Sequence, residues 1–385
     1  MDENLQMRAT FGGTRRVVVK IGSRVLVQRD GRPDLRRLRA LVGDLAVARR
    51  AGREIVVVSS GAIGAGMSVL GLKTRPTHLP DLQMAAAVGQ SRLMAIYDRL
   101  FAEEKCRVGQ VLLTHADLND RQRHLNARNT MMNLLRHGII PIVNENDVVS
   151  VDEIKFGDND LLASLVALLI QADLLILLTT VDGFRAPAAG GRTRRVPFLK
   201  GVSEKALALA VGKGSELSTG GMMSKLQAAD TVAGVGTPVV IANGRQAGAI
   251  GKVLAGDDIG TLLAAGKPSG LSGRKRWIAF FHKAKGSLVV DDGARLAVVE
   301  KGRSLLPIGV KAVEGEFEAG DVVNIRAAGG PAFARGVTDY SSGEVRRIQG
   351  RKTSEIAAIL GAADFEEVVH RDNMVVLQGA TRGTI

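Results

Sequence analysis

Residues 143 to 160 read VNENDVVSVDEIKFGDND. Six carboxylates, three asparagines and one lysine fall within these 18 residues, in a chain whose formal net charge is +13. Such a cluster can hold a cation, pair with an ammonium group or cap a helix. The calcium-loop spacing D-x-[DN]-x-[DN]-G is absent from it. GDND opens a strongly apolar run, so Asp158 or Asp160 suits a helix N-terminus, where carboxylates are favoured. Capping leaves Asn144, Glu145 and Asp147 unexplained; a solvated acidic loop is the plain alternative.

Three other places could do chemistry. Lys20 stands among valines in VVVKIGS. A lysine there is rarely buried without a partner, so it either ends the strand at a site or sits at an edge with its head in solvent. SSGAIGAGM (59–67) follows an apolar run, and its glycines let a backbone approach an anion at a helix start. Its order is G-x-x-G-x-G, unlike the dinucleotide G-x-G-x-x-G, and a tight turn would also explain it. In STGGMMSKLQAA (218–229) two glycines precede a helix start and Lys225 falls in its first turns. Backbone amides and one ammonium make a phosphate site, although an ordinary helix with a surface lysine fits the same letters. The Walker A pattern is absent from the chain. HRD at 370–372 is not a protein-kinase catalytic loop, because Leu377 stands where asparagine is required and no D-F-G follows. The six histidines offer no H-E-x-x-H spacing.

The elements that must position these residues are legible as runs. RRVVVKIG (15–22), REIVVVSSGA (53–62), CRVGQVLLT (106–114), GIIPIVN (138–144), DLLILLTT (173–180) and TPVVIAN (237–243) read as strands. PDLRRLRALVGDLAVARRAG (33–52) reads as an amphipathic helix, and helical patterns separate most of the strands. Alternation of this kind predicts an α/β fold with a mainly parallel sheet sandwiched by helices. Ligands in such sheets lie beyond the carboxyl ends of the strands, where Lys20, Ser60, Asn144 and Thr179 fall. Past residue 264 the texture changes. AAGKPSGLSGRKRW reads as a linker, and WIAFF, GSLVV, LAVVE, VKAVEGEF, DVVNIRA and FARGVTDY read as short strands of a small β-rich domain.

The 385 residues suit two domains, and 45 % hydrophobic residues supply ample core. Only 3 % are aromatic, so that core is aliphatic. Cys106 is the only cysteine, which excludes an intramolecular disulfide and points to a reducing cytoplasm. The N-terminus shows no signal peptide. LLASLVALLIQADLLILL (161–178) has the length of a membrane span, but Gln171 and Asp173 interrupt it; a buried helix followed by a buried strand fits better. A pI near 10.2 suits anionic substrates or nucleic acid, or only keeps the protein soluble.

Taken together, VVVKIGS, VSSGAIGAG, AAAVGQSRL, LNARNT, IPIVNENDVV, KFGDNDLLASLVA and TGGMMSKLQAA resemble the glutamate 5-kinases of the amino acid kinase family, from about Val17 to Gly244. RKRW, SLLPIGVKAVEGEFEAGDVV and ARGVTDYSSGEVRRIQG resemble the PUA domain that many of them carry. The division expected is a kinase domain over 1–264, a linker over 265–273, a PUA-like domain over 274–356 and a tail over 357–385. The resemblance implies ATP-dependent phosphorylation of the γ-carboxylate of L-glutamate, the first step of proline synthesis, with feedback inhibition by proline. It also implies a cytoplasmic homo-oligomer, dimeric or tetrameric.

By the same resemblance, Lys20 and Lys225 contact the transferring phosphoryl group and Asp160 holds the two lysines in place. Ser60, Asp147 and Asn159 bind glutamate, Asp147 through its α-ammonium. Thr179, Thr180 and the stretch Thr219, Gly220, Gly221, Met222, Met223, Ser224 and Lys225 contact ATP. Mg²⁺ comes mainly with the ATP phosphates, with Asp158 as a candidate helper. Two positions depart from the family pattern: Thr180 replaces a common aspartate, and Ser224 replaces a common threonine. Two rivals remain: a related kinase with another acyl substrate, and an RNA-binding protein acting through the PUA-like segment. Residues 274 to 355 carry 15 Lys/Arg against 10 Asp/Glu, a modest surplus with little aromatic interleaving for base stacking.

Overall fold

The computed structural model describes residues 2–28, 32–149, 159–188, 192–210, 221–266, 278, 284–361 and 365–377. The chain divides into two compact units, Met1–Ser269 and Gly270–Ile385.

The first unit is built on one eight-stranded sheet. Its strands are β1 (Arg16–Ile21), β2 (Glu54–Val58), β3 (Arg107–Leu113), β4 (Ile139–Glu145), β5 (Leu174–Thr179), β8 (Phe198–Leu199), β9 (Val239–Asn243) and β10 (Thr261–Leu263). Their order is β3-β4-β2-β1-β5-β9-β10-β8. Neighbours from β3 to β9 run parallel; β10 is antiparallel to β9 and parallel to β8. The short strands β6 (Arg185–Pro187) and β7 (Thr193–Arg195) form a separate ribbon. The sheet is the mainly parallel one expected from the strand–helix alternation. Apolar β1, β2 and β5 are buried on both faces, which explains why their sequences show no alternation.

The principal helices are α1 (Glu3–Ala9), α2 (Leu35–Arg50), α3 (Ala62–Leu70), α4 (Leu79–Glu103), α5 (Arg121–Arg136), α6 (Asn159–Ile170), α7 (Met222–Ala233) and α8 (Ala249–Ala255). Strand side chains alternate between the faces. Val17, Val19 and Ile21 of β1 join a core with Leu38, Leu41 and Leu45 of α2, Leu93 and Ile96 of α4 and Ile250 of α8. Val18 and Lys20 therefore face the other layer, where α6 packs on β1 and α7 packs on α6. The apolar stretch 161–178 is a buried helix and a buried strand, as its interruptions suggested. Among the described residues no helix is long and apolar enough to cross a membrane.

Residues preceding β1 are anchored. Arg8 on α1 is fully buried. Its guanidinium donates to Asn4 Oδ1 at 2.8 Å and to the carbonyls of Asp257, Ile259 and Pro197 at 2.8, 3.0 and 3.3 Å. It also pairs with Asp258 at 3.5 Å.

The second unit holds a five-stranded sheet ordered β12-β11-β13-β14-β15, from β11 (Gly286–Val290), β12 (Val310–Gly315), β13 (Val322–Ala327), β14 (Ala332–Val337) and β15 (Met374–Val376). One expectation fails here. LAVVE lies in a helix, α9 (Asp292–Val299), and not in a strand. Asp291 accepts from the Ala294 amide and caps it, and Val298 packs into the core. Burial of one apolar stripe outweighs the strand preference of its valines. WIAFF falls mostly outside the described residues. Residues 365–377 take part in this unit: Val368 and Val369 lie in its core and β15 extends its sheet.

Candidate active site

The carboxyl ends of β1, β2, β4, β5 and β9 lie side by side, which fixes where the predicted residues can meet. Lys20 is the penultimate residue of β1 and only 4 % exposed. Its Nζ sits 2.6 Å from Asp160 Oδ1. Lys225, in the first turns of α7, is also buried and places Nζ 2.8 Å from Asp160 Oδ2. Asp160 is 0 % exposed, in the first turn of α6. One carboxylate thus aligns two ammonium groups. Two cations of this kind, freed from bulk water, can stabilise negative charge on a transferring group.

Beside this triad runs a network of amides. Asn159, the residue before Asp160, is 1 % exposed. The two hydrogens on its Nδ2 are shared among the Ser59 carbonyl at 2.7 Å, Ser60 Oγ at 2.9 Å and Asn144 Oδ1 at 2.9 Å. Asn144 Nδ2 in turn donates to Gln90 Oε1 on α4 at 2.8 Å. Asn144 lies at the end of β4, and its hydrogen bonds reach α4 on one side and α6 on the other. Ser59 is held again from α4: its Oγ lies 3.0 Å from the Tyr97 hydroxyl. Burial pushes the Tyr97 phenol up to about 12, so it stays a neutral hydrogen-bonding group. Asp147 is buried just past β4, where the Asn146 amide donates to the Leu113 carbonyl at 2.9 Å.

The turn between Ser60 and α3 needs glycine. Gly61 has φ +97 at the N-cap, a left-handed conformation that side chains rarely adopt. Further along, α3 and α4 touch backbone to backbone. A Cβ on Gly66 would lie 1.8 Å from the Ala85 carbonyl oxygen, and one on Gly89 1.7 Å from that of Ala62.

Lys20, Ser60, Asn159, Asp160 and Lys225 are therefore linked by direct contacts. Thr179 ends β5 and its carbonyl accepts from the Gly244 amide at 2.8 Å, while Thr180 follows, partly exposed. Both stand on the β5 side of the strand ends. Gly221, Met222, Met223 and Ser224 open α7, with Gly221 and Met223 exposed and Ser224 Oγ donating to the Gly221 carbonyl at 3.1 Å. Asp158, Thr219 and Gly220 lie outside the described residues. Sequence reasoning missed Gln90 and Tyr97. Their spacing of two helical turns on one face of α4 was the available signal.

Comparison with known proteins bears on this architecture. Residues 15–243 match the amino acid kinase family, and residues 286–360 match the PUA domain. The glutamate 5-kinase of Moorella thermoacetica is 47 % identical over 97 % of this chain and 99 % of its own. That of Pelobacter propionicus is 46 % identical over 96 % of this chain and 100 % of its own. That of Myxococcus xanthus is 46 % identical over 96 % and 98 %. These matches run through both units, and the chain belongs to the amino acid kinase family, in its glutamate 5-kinase branch.

Proposed function

We propose that the chain transfers the γ-phosphoryl group of ATP to the γ-carboxylate of L-glutamate, forming L-glutamyl 5-phosphate. The observation that carries this reading is the buried Lys20–Asp160–Lys225 alignment beside the amide pocket of Ser60, Asn144 and Asn159. A glutamate side chain has a reference pKa of about 4.3 and is already an anion at neutral pH. A carboxylate oxygen attacks the γ-phosphorus, the bond to the β,γ-bridging oxygen breaks, and ADP leaves with that electron pair. No proton need be removed from the nucleophile, so no general base is required. The obstacle is repulsion between an anion and a polyanion. Two aimed ammonium groups offset it and stabilise charge on the transferring group.

Lys20 and Lys225 serve that role and Asp160 positions them. Ser60, Asn159 and Asp147 hold glutamate, Asp147 against the α-ammonium. Thr179, Thr180 and the start of α7 with the residues before it, Thr219 to Lys225, hold the nucleotide. Among the described residues no three His, Cys, Asp or Glu side chains form a metal-binding group. In this reading Mg²⁺ comes mainly with the ATP phosphates, and Asp158, outside the described residues, is its candidate helper. Inhibition by proline, assembly into a dimer or tetramer and a cytoplasmic location are part of the same reading through the family resemblance.

The test of this pocket is Asp147→Asn. The glutamate KM should rise about tenfold or more while the ATP KM stays put, since one charge-assisted contact is lost. An unchanged glutamate KM would remove Asp147 from the ammonium site.

A further inference from the structure

The amide network at the end of β4 has a fixed polarity. A backbone carbonyl only accepts, so the Ser59 carbonyl, 2.7 Å away, forces Asn159 to turn its NH₂ group inward. Asn144 must then present Oδ1 to Asn159, which turns its own Nδ2 toward Gln90. Gln90 answers with Oε1. Two buried atoms are left at the ends without a hydrogen-bond partner: Asn159 Oδ1, an acceptor, and Gln90 Nε2, a donor. Buried amides left unpaired are costly, so such ends imply a ligand that completes them.

The two ends are of opposite kind. An acceptor suits an ammonium and a donor suits a carboxylate, and an α-amino acid carries both on one carbon. We propose that Gln90 binds the α-carboxylate of the substrate through Nε2 while its Oε1 fixes Asn144. This rests on the reading of glutamate as the phosphoryl acceptor. The setting of α4 supports it. Two turns beyond Gln90, Tyr97 is hydrogen-bonded to Ser59, and next to Gln90 the Gly89 backbone is pressed on α3. The helix therefore cannot rotate Gln90 away from the site.

The experiment compares full-length wild type, Gln90→Leu and Gln90→Glu in steady-state kinetics with glutamate and with 4-aminobutanoate, which lacks the α-carboxylate. Glutamate-dependent turnover by the wild type tests the functional reading by itself; the ratio of variant to wild type tests Gln90. Gln90→Leu should raise the glutamate KM about tenfold, leave the ATP KM unchanged and shrink the preference for glutamate over 4-aminobutanoate. Gln90→Glu keeps the acceptor for Asn144 but sets a carboxylate against a carboxylate, so its glutamate KM should exceed that of Gln90→Leu. Should the leucine variant fail to fold, the nearly isosteric glutamate variant decides alone. A wild-type glutamate KM in Gln90→Glu, or an unchanged preference in Gln90→Leu, would overturn the assignment.

Discussion

Lys20 and Lys225 lie on opposite oxygens of one carboxylate, at 2.6 and 2.8 Å from Asp160. One comes from a strand and the other from a helix, and both are buried. Neither ammonium could hold its direction in water, where a lysine side chain samples many rotamers. Asp160→Asn keeps the shape but removes the charge and offers only one acceptor atom. It should lower kcat by about a hundredfold, with both KM values much less affected. Rate measurements on a variant whose melting profile is retained check this, and a kcat within threefold of wild type would show that the carboxylate is not needed for aiming.

The contact between α3 and α4 leaves no room for a methyl group. Gly89→Ala would press Cβ into the Ala62 carbonyl, a backbone atom that cannot swing aside. A destabilisation of about 3 kcal/mol or more is expected, read by chemical denaturation. The damage should also reach the site, because α3 starts at the Ser60 turn and α4 carries Gln90 and Tyr97.

Arg8 and Asp258 make a stability prediction remote from the chemistry. Arg8→Ala would leave three carbonyls and Asn4 without their donor, a loss of about 2 to 4 kcal/mol, with kcat intact in the folded fraction. The hydrogen bond from Arg195 holds the Asp258 carboxyl below its ordinary value, with the charges of Arg195 and Arg8 adding to it. A carboxylate depressed in the folded state stabilises the protein above its unfolded pKa, and this is lost as pH falls through the folded value. The melting temperature should therefore fall less steeply on acidification below about pH 4 in Asp258→Asn than in wild type.

Much of the sheet was legible because buried parallel strands write themselves as unbroken apolar runs, as in RVVVKI and LLILLT. Lys20 was legible as an anomaly, a charge inside such a run. Its partner Asp160 was legible only through the family resemblance, because Lys20, Asp160 and Lys225 are distant in sequence and only packing of α6 and α7 on one face joins them. Gln90 and Tyr97 escaped for a related reason. A polar atom on a mostly apolar helix reads as the wet edge of a stripe, and only the fold shows that Tyr97 is fully buried and hydrogen-bonded inward. LAVVE was misread because Val298 and Val299 can pack on a strand or on one helical face alike; the aspartate cap before the helix decides.

The most direct measurement is ATP-dependent acyl hydroxamate formation by the purified full-length protein with Mg²⁺ and hydroxylamine, offered glutamate, N-acetylglutamate or aspartate. Hydroxylamine traps an acyl phosphate as it forms, so the readout is the proposed product itself. Signal with glutamate, and little with the two others, is the predicted result, because the proposed site pairs Asp147 with a free α-ammonium and sets Lys20 and Lys225 at the γ-carboxylate. Signal with N-acetylglutamate in place of glutamate, or none with any of the three, would contradict the account.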